Sequence, residues 1–276
     1  MQSKVVSKIL DATTIAEIKS LARKKHTEYS KLNDVIGSQI FSILELNSRV
    51  LYYPLEEDDV WGFAVKAKNQ LFVCINTSIP YDKQVFAAAH ELYHLWFNGE
   101  EELILSSALE EYEVNDAEID VDELKANRFA AEFLVEENLL RQEMQTYSIL
   151  KDNIDIKDIL KLASLFLVPY KTMVRRLYEV NIINKTNFKN YKDVSQKEVE
   201  IWRTRLGITL PVRDNNIGLD NLVDKAMELY EKKLITIEKL QYLLSLSNLT
   251  PDMFGIEKKR EYIPPTDGGL QSIMEE

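Results

Sequence analysis

The stretch Phe86-Ala87-Ala88-Ala89-His90-Glu91-Leu92-Tyr93-His94-Leu95-Trp96-Phe97 constrains this 276-residue chain more than any other. It sets two histidines four residues apart, with a glutamate directly after the first. On an α-helix, side chains at i and i+4 stand one above the other on the same face. Two imidazoles so placed can take two corners of a zinc tetrahedron. Glu91 then projects beside the metal, where a base must stand to take a proton from metal-bound water. The apolar flanks make this a core helix, and polar side chains on a core helix need partners because unpaired buried polar groups are costly. The chain has three histidines, and two of them fall here. A hydrogen-bonded pair of core histidines without a metal is the other reading of the pattern.

Charge and composition narrow the class. The net charge is −11, and no Lys or Arg occurs between Glu100 and Glu123. This balance argues against non-specific DNA binding, which relies on basic side chains neutralising phosphates. The acidic run reads as a solvated loop, or alternatively as an attractor for a basic partner. No apolar run reaches membrane-spanning length, and the N-terminus lacks the pattern of a signal peptide. The single cysteine, Cys74, sits among Phe72, Val73 and Ile75 and reads as a core residue. Together these features lead us to expect a cytoplasmic protein.

Local patterns place the elements. Apolar 3/4 spacing predicts a helix over 14–30, with His26 at its basic end as a surface cap or, alternatively, a zinc ligand, and a second helix over 35–44. Strands are expected at 50–53, 61–65 and 71–76, the last two as a hairpin around Lys68-Asn69-Gln70. Asp82 is the expected N-cap of the motif helix, and Asn98-Gly99 its stop. Zinc peptidases bind substrate as an added strand at a sheet edge, so strands just before the motif helix have a use.

The segment 122–134 follows the acidic run. Glu123, Ala126, Asn127, Ala130, Ala131 and Leu134 share one helical face, whose alanines allow another helix to approach closely. Glu123 in its first turn is the expected third metal ligand, since two histidines and one carboxylate leave an open position for water. Asn127, one turn on, is placed to orient a ligand through a hydrogen bond. A favourable charge at a helix N-terminus is the alternative role for Glu123, and Asp122 and Glu118 are the reserve ligands.

These pieces together resemble the ImmA/IrrE family of metallo-endopeptidases, with a gluzincin-like His-Glu-x-x-His site. The matching segments are Trp61-Gly62-Phe63, Cys74-Ile75-Asn76-Thr77-Ser78, His90-Glu91-Leu92-Tyr93-His94, and Glu123-x-x-Ala126-Asn127-x-Phe129-Ala130-Ala131. Tyr93 stands where the family usually has a small residue, and a larger side chain there is expected to narrow the cleft. The resemblance is specific over about 35–140. It implies an α+β fold: a zincin-like core with a small three-stranded sheet packed with helices, over 1–145, then an all-α region over 146–256. It also implies one zinc ion per chain and a protein substrate, a helix-turn-helix repressor of stress, phage or mobile-element genes. Tyr112, Tyr147 and His26 are the candidates for a second oxyanion donor.

Farther on, 154–183 reads as helix, turn and helix around Val168-Pro169-Tyr170, similar to the helix-turn-helix-like unit of that family. A helical subdomain covering the core is the alternative to DNA contact, and helix-turn-helix geometry alone does not specify DNA. Residues 184–192 read as a polar connector, and Ser195-x-x-Glu198 as a capping box for a helix reaching Leu206. A loop over 207–218, a helical hairpin over 219–246, a last turn at Thr250-Pro251-Asp252 and a disordered tail over 257–276 complete the chain. Three functions are therefore open: a zinc endopeptidase with Glu91 as base, a non-cleaving binder of a repressor or antitoxin, and a DNA-binding regulator. Retention of Glu91 argues against the second. The charge argues against the third, so direct nucleic-acid binding is not expected.

Overall fold

The computed structural model describes residues 10–29, 34–56, 60–67, 70–97, 103–104, 121–213, 218–219 and 222–256. Helix α1 (Ala12–Tyr29) is followed by α2 (Gln39–Asn47), then strands β1 (Arg49–Tyr53), β2 (Gly62–Ala67) and β3 (Gln70–Asn76). The motif helix α3 (Tyr81–Phe97), strand β4 (Leu103–Ile104) and helices α4 (Val121–Leu134) and α5 (Glu137–Thr146) come next. Helices α6 (Ile156–Phe166), α7 (Tyr170–Glu179), α8 (Lys185–Lys192) and α9 (Gln196–Leu206) precede β5 (Gly218–Leu219). Helices α10 (Leu222–Glu231) and α11 (Ile237–Ser245) end on a 3-10 turn, Pro251–Phe254. The chain divides into two units, residues 1–220 and 221–276.

The expected α+β architecture is present. β2 and β3 form the expected hairpin, antiparallel from Gly62↔Ile75 to Ala67↔Gln70. β1 lies parallel on the other side of β3, from Arg49↔Phe72 to Tyr53↔Asn76. Two two-residue strands that local pattern does not reveal extend the edges, giving the order β4-β2-β3-β1-β5. Asn76 anchors the end of the sheet: its Oδ1 accepts from the Leu55 and Ser78 amides at 3.0 and 2.9 Å, and its Nδ2 donates to the Val60 carbonyl at 2.8 Å.

α3 and α4 pack face to face, with α1 on α4 and α2 on α3. Small side chains fill the interior on both helices: Ala87, Ala88 and Ala89 of α3 and Ala126 and Ala130 of α4 are fully buried. Phe129 and Phe133 of α4 stack on one another and meet Trp96 of α3 edge-on. Burying each such ring contributes roughly 1.5–3 kcal/mol. Helices α6 and α7 belong to the same apolar cluster, through Leu160, Ala163, Phe166, Met173 and Leu177. The first compact unit includes these helices because they share its core. The second unit has its own small core of Ala226, Leu240 and Leu244.

Several local expectations change in the fold. Helix α2 begins at Gln39, after a turn through Gly37, whose φ of +46° suits a residue without Cβ. Asp82 does not cap α3; it lies inside the first turn, buried, and its carboxylate accepts from Arg203 of α9 at 2.7 Å. Residues 185–192 form helix α8 rather than a connector, capped by Asn184, whose side chain accepts from the Asn187 amide at 2.9 Å. Ser195 caps α9 by accepting from Glu198 at 3.3 Å, while the reciprocal capping box occurs at Asp155 and Asp158 of α6. α6 and α7 join as expected, through Leu167 at φ +52° and then Pro169. Asn98-Gly99, Tyr112, Glu118, most of the acidic run and the tail lie outside the described residues. Among the described residues no helix is long and apolar enough to cross a membrane.

Candidate metal centre

The four-residue spacing on α3 brings His90 and His94 onto one buried face, with their Nε2 atoms 3.1 Å apart. Helix α4 crosses opposite and delivers Glu123 between them. Glu123 Oε2 lies 3.1 Å from His90 Nε2, and Glu123 Oε1 lies 3.2 Å from His94 Nε2. These three side chains form the group able to hold a metal ion. The reserve residue Asp122, one position earlier, turns outward and pairs with Lys125 at 2.6 Å.

A second contact tests whether the group suits a cation. Asn127 Oδ1 sits 2.9 Å from His90 Nδ1. An amide oxygen only accepts, so the His90 proton resides on Nδ1 and Nε2 carries a lone pair. That lone pair faces a carboxylate oxygen at 3.1 Å, acceptor against acceptor. A cation between them turns this repulsion into coordination. The triangle of ligand atoms, 3.1 to 3.2 Å on each side, is close to the edge of about 3.3 Å expected for a tetrahedral site with Zn–N bonds of 2.0–2.1 Å. The residues therefore fit a metal ion.

The electrostatics agree. Burial holds His90 below its usual value, opposed by the Glu123 carboxylate, so the imidazole is kept neutral as a ligand requires. Glu91 is fully buried on α3, directly after His90. Strand β2 makes room for it with a glycine: a Cβ at Gly62 would stand 3.3 Å from Glu91 Oε1 and 3.0 Å from the Cys74 carbonyl. The sequence carries a signal for this role, a glycine inside a strand pattern, which often marks close approach. Cys74 is a buried core thiol, pushed up to about 11 by burial and then by Glu91.

Two other expectations are corrected. His26 is no surface cap: it is buried edge-on against Phe133. Phe133 lies ten residues along α4 from Glu123, about 15 Å at 1.5 Å per residue, so His26 serves neither as ligand nor as oxyanion donor. Tyr147 lines a separate cleft with Ile149, Leu162 and Ile208. Tyr93 is buried in an aromatic cluster with Phe97 and Phe129.

Behind the site, α4 is tied to α7 by buried charge. Arg176 pairs with Glu132 and donates from Nε to the Val135 carbonyl at 2.8 Å, while Arg128 meets Glu179 at 2.8 Å.

Comparison with curated proteins gives no match. Residues 44–178 match the family model Peptidase_M78, the IrrE N-terminal-like domain, a span that includes β1 to β3, the motif helix, all three members of the metal group and α7 up to Tyr178. Residues 44–178 therefore carry an IrrE N-terminal-like domain, which supports the resemblance to the ImmA/IrrE family.

Proposed function

We propose that this protein is a zinc-dependent endopeptidase that cuts a peptide bond in one specific protein, a DNA-binding transcriptional repressor, and so relieves repression. The observation that carries the reading is the convergence of His90, His94 and Glu123 within 3.2 Å beside a buried glutamate. His90, His94 and Glu123 would hold one zinc ion, and Asn127 would keep His90 in the ligating tautomer. When bound, zinc supplies Lewis acidity, acidifying a water and polarising the scissile carbonyl. Glu91 takes the proton from the attacking water and passes it to the leaving amine. Gly62 keeps the strand backbone clear of that carboxylate.

The helix-turn-helix-like pair supports the core in this reading. Every residue of α7 except Tyr178 is buried or half-buried, which leaves little face for a major groove, and Arg176 is spent on Glu132. The remaining helices would select the repressor. A buried, unpaired cysteine is consistent with a reducing cytoplasm as the site of action.

The test is co-incubation of the purified, zinc-loaded protein with the repressor encoded beside its gene, followed by intact-mass analysis. Two fragments whose masses sum to the repressor plus one water are expected, with none from Glu91→Gln. An intact repressor that co-purifies with the zinc-loaded protein would replace this reading with a non-cleaving binder.

A further inference from the structure

The two histidines of the metal group are held in place by different means. His90 Nδ1 has Asn127 Oδ1 at 2.9 Å. His94 Nδ1 is buried and has no hydrogen-bond partner among the described residues. Metal-ligating histidines almost always use their second ring nitrogen in a hydrogen bond that fixes the ring. The His94 ring is instead bounded by other rings. Tyr93 stands edge-on to it, with centroids 5.7 Å apart and planes at 79°. Tyr93 is in turn wedged by Phe97 at 5.2 Å and Phe129 at 5.5 Å. Phe129 belongs to α4, the helix that brings Glu123 and Asn127, so one helix braces both histidines: His90 by an amide and His94 through Tyr93.

We infer that Tyr93 is a positioning residue for His94, its wedged ring setting the imidazole orientation that a hydrogen bond sets for His90. The inference rests on the metal centre proposed above. The edge-on contact restricts rotation about the His94 side-chain torsions, so less freedom is lost when the ring coordinates. The contact needs an aromatic ring and not its hydroxyl. Phenylalanine should therefore serve in its place, while a leucine of similar hydrophobicity should not.

The experiment compares wild type, Tyr93→Phe, Tyr93→Leu and Phe129→Leu by zinc titration against a competing chelator, with near-ultraviolet circular dichroism confirming the fold. Tyr93→Phe should bind as wild type does. Tyr93→Leu should bind about ten-fold more weakly, in the range seen for groups that orient metal ligands. Phe129→Leu, which removes the backing of the Tyr93 ring along with the Phe129 contacts to Trp96, Phe97 and Phe133 but leaves Tyr93 itself in place, should lose about three-fold. The cobalt-loaded proteins give an independent reading, since a change in ligand orientation shifts the visible bands whereas a mere loss of stability does not. Altered bands are expected in Tyr93→Leu and unaltered bands in Tyr93→Phe. If Tyr93→Leu folds with wild-type affinity and spectrum, the inference is overturned. If it does not fold, Phe129→Leu decides, and wild-type affinity there overturns it equally. A wild-type protein that binds no zinc would instead remove the metal centre itself.

Discussion

Asn127 Oδ1 and His90 Nδ1 meet at 2.9 Å across the interface of α3 and α4. Because Asn127 stands one helical turn after Glu123, the helix that supplies the third member of the metal group also orients the first. This relationship makes the rotational setting of α4 the quantity on which the site depends, and it leads to the first prediction.

Glu123→Ala should lower zinc affinity sharply, since one of three protein ligands is gone. Asp122→Ala should change it little, because Asp122 is occupied by Lys125 at 2.6 Å on the outer side of the helix. His90→Ala and His94→Ala should behave like Glu123→Ala. Chelator competition measures all four. Zinc loss in Asp122→Ala together with retention in Glu123→Ala would contradict the assignment.

Glu91→Gln should keep both fold and zinc while losing hydrolysis. The amide has nearly the same shape, so it still fits beside Gly62, but it cannot take the proton from water. Turnover of the repressor at the wild-type rate would remove Glu91 from the role of base.

Arg176→Met should destabilise the protein by about 3 kcal/mol, because it leaves Glu132 with less charge compensation in a buried position. The double variant Glu132→Leu with Arg176→Met should recover most of that loss, since it removes both buried charges together. Urea unfolding of the two variants reads the difference. Equal losses in both would show that packing at these positions, not charge, sets the cost.

Burial lowers the His26 pKa below 6.5, opposed by the Glu136 charge. The unfolded chain therefore takes up a proton at His26 at pH values where the folded chain does not. Stability from this residue is complete above the unfolded value and falls as pH drops through about 6.5, until the folded value is passed. In His26→Leu, the melting temperature should depend less steeply on pH between about 7 and 5 than in wild type. The same slope in both proteins would show that His26 titrates freely in the fold.

Much of the site was legible because its spacing is local. The His90-Glu91-x-x-His94 pattern determines a shared helical face whatever the helix packs against, and Glu123 with Asn127 at four-residue spacing does the same for α4. The β2–β3 hairpin and the α6–α7 break likewise follow from strand alternation and from Pro169. Even the burial of His26 had a local signal, for it continues the Ile18, Ala22 spacing of buried positions on α1, although the neighbouring Lys24 and Lys25 make the tract look exposed. What only the tertiary structure decided are contacts between segments far apart in the chain. Asp82 would cap its own helix but meets Arg203, 121 residues away, and a full charge-assisted bond prevails over a cap. The parallel pairing of β1 with β3, the edge strands β4 and β5, Glu91 lying against Gly62, and Tyr93 wedged between His94 and Phe129 all depend on how elements come together. Residue spacing specifies which side chains share a face; it does not specify which face meets which, because that choice is made by burial across the whole core.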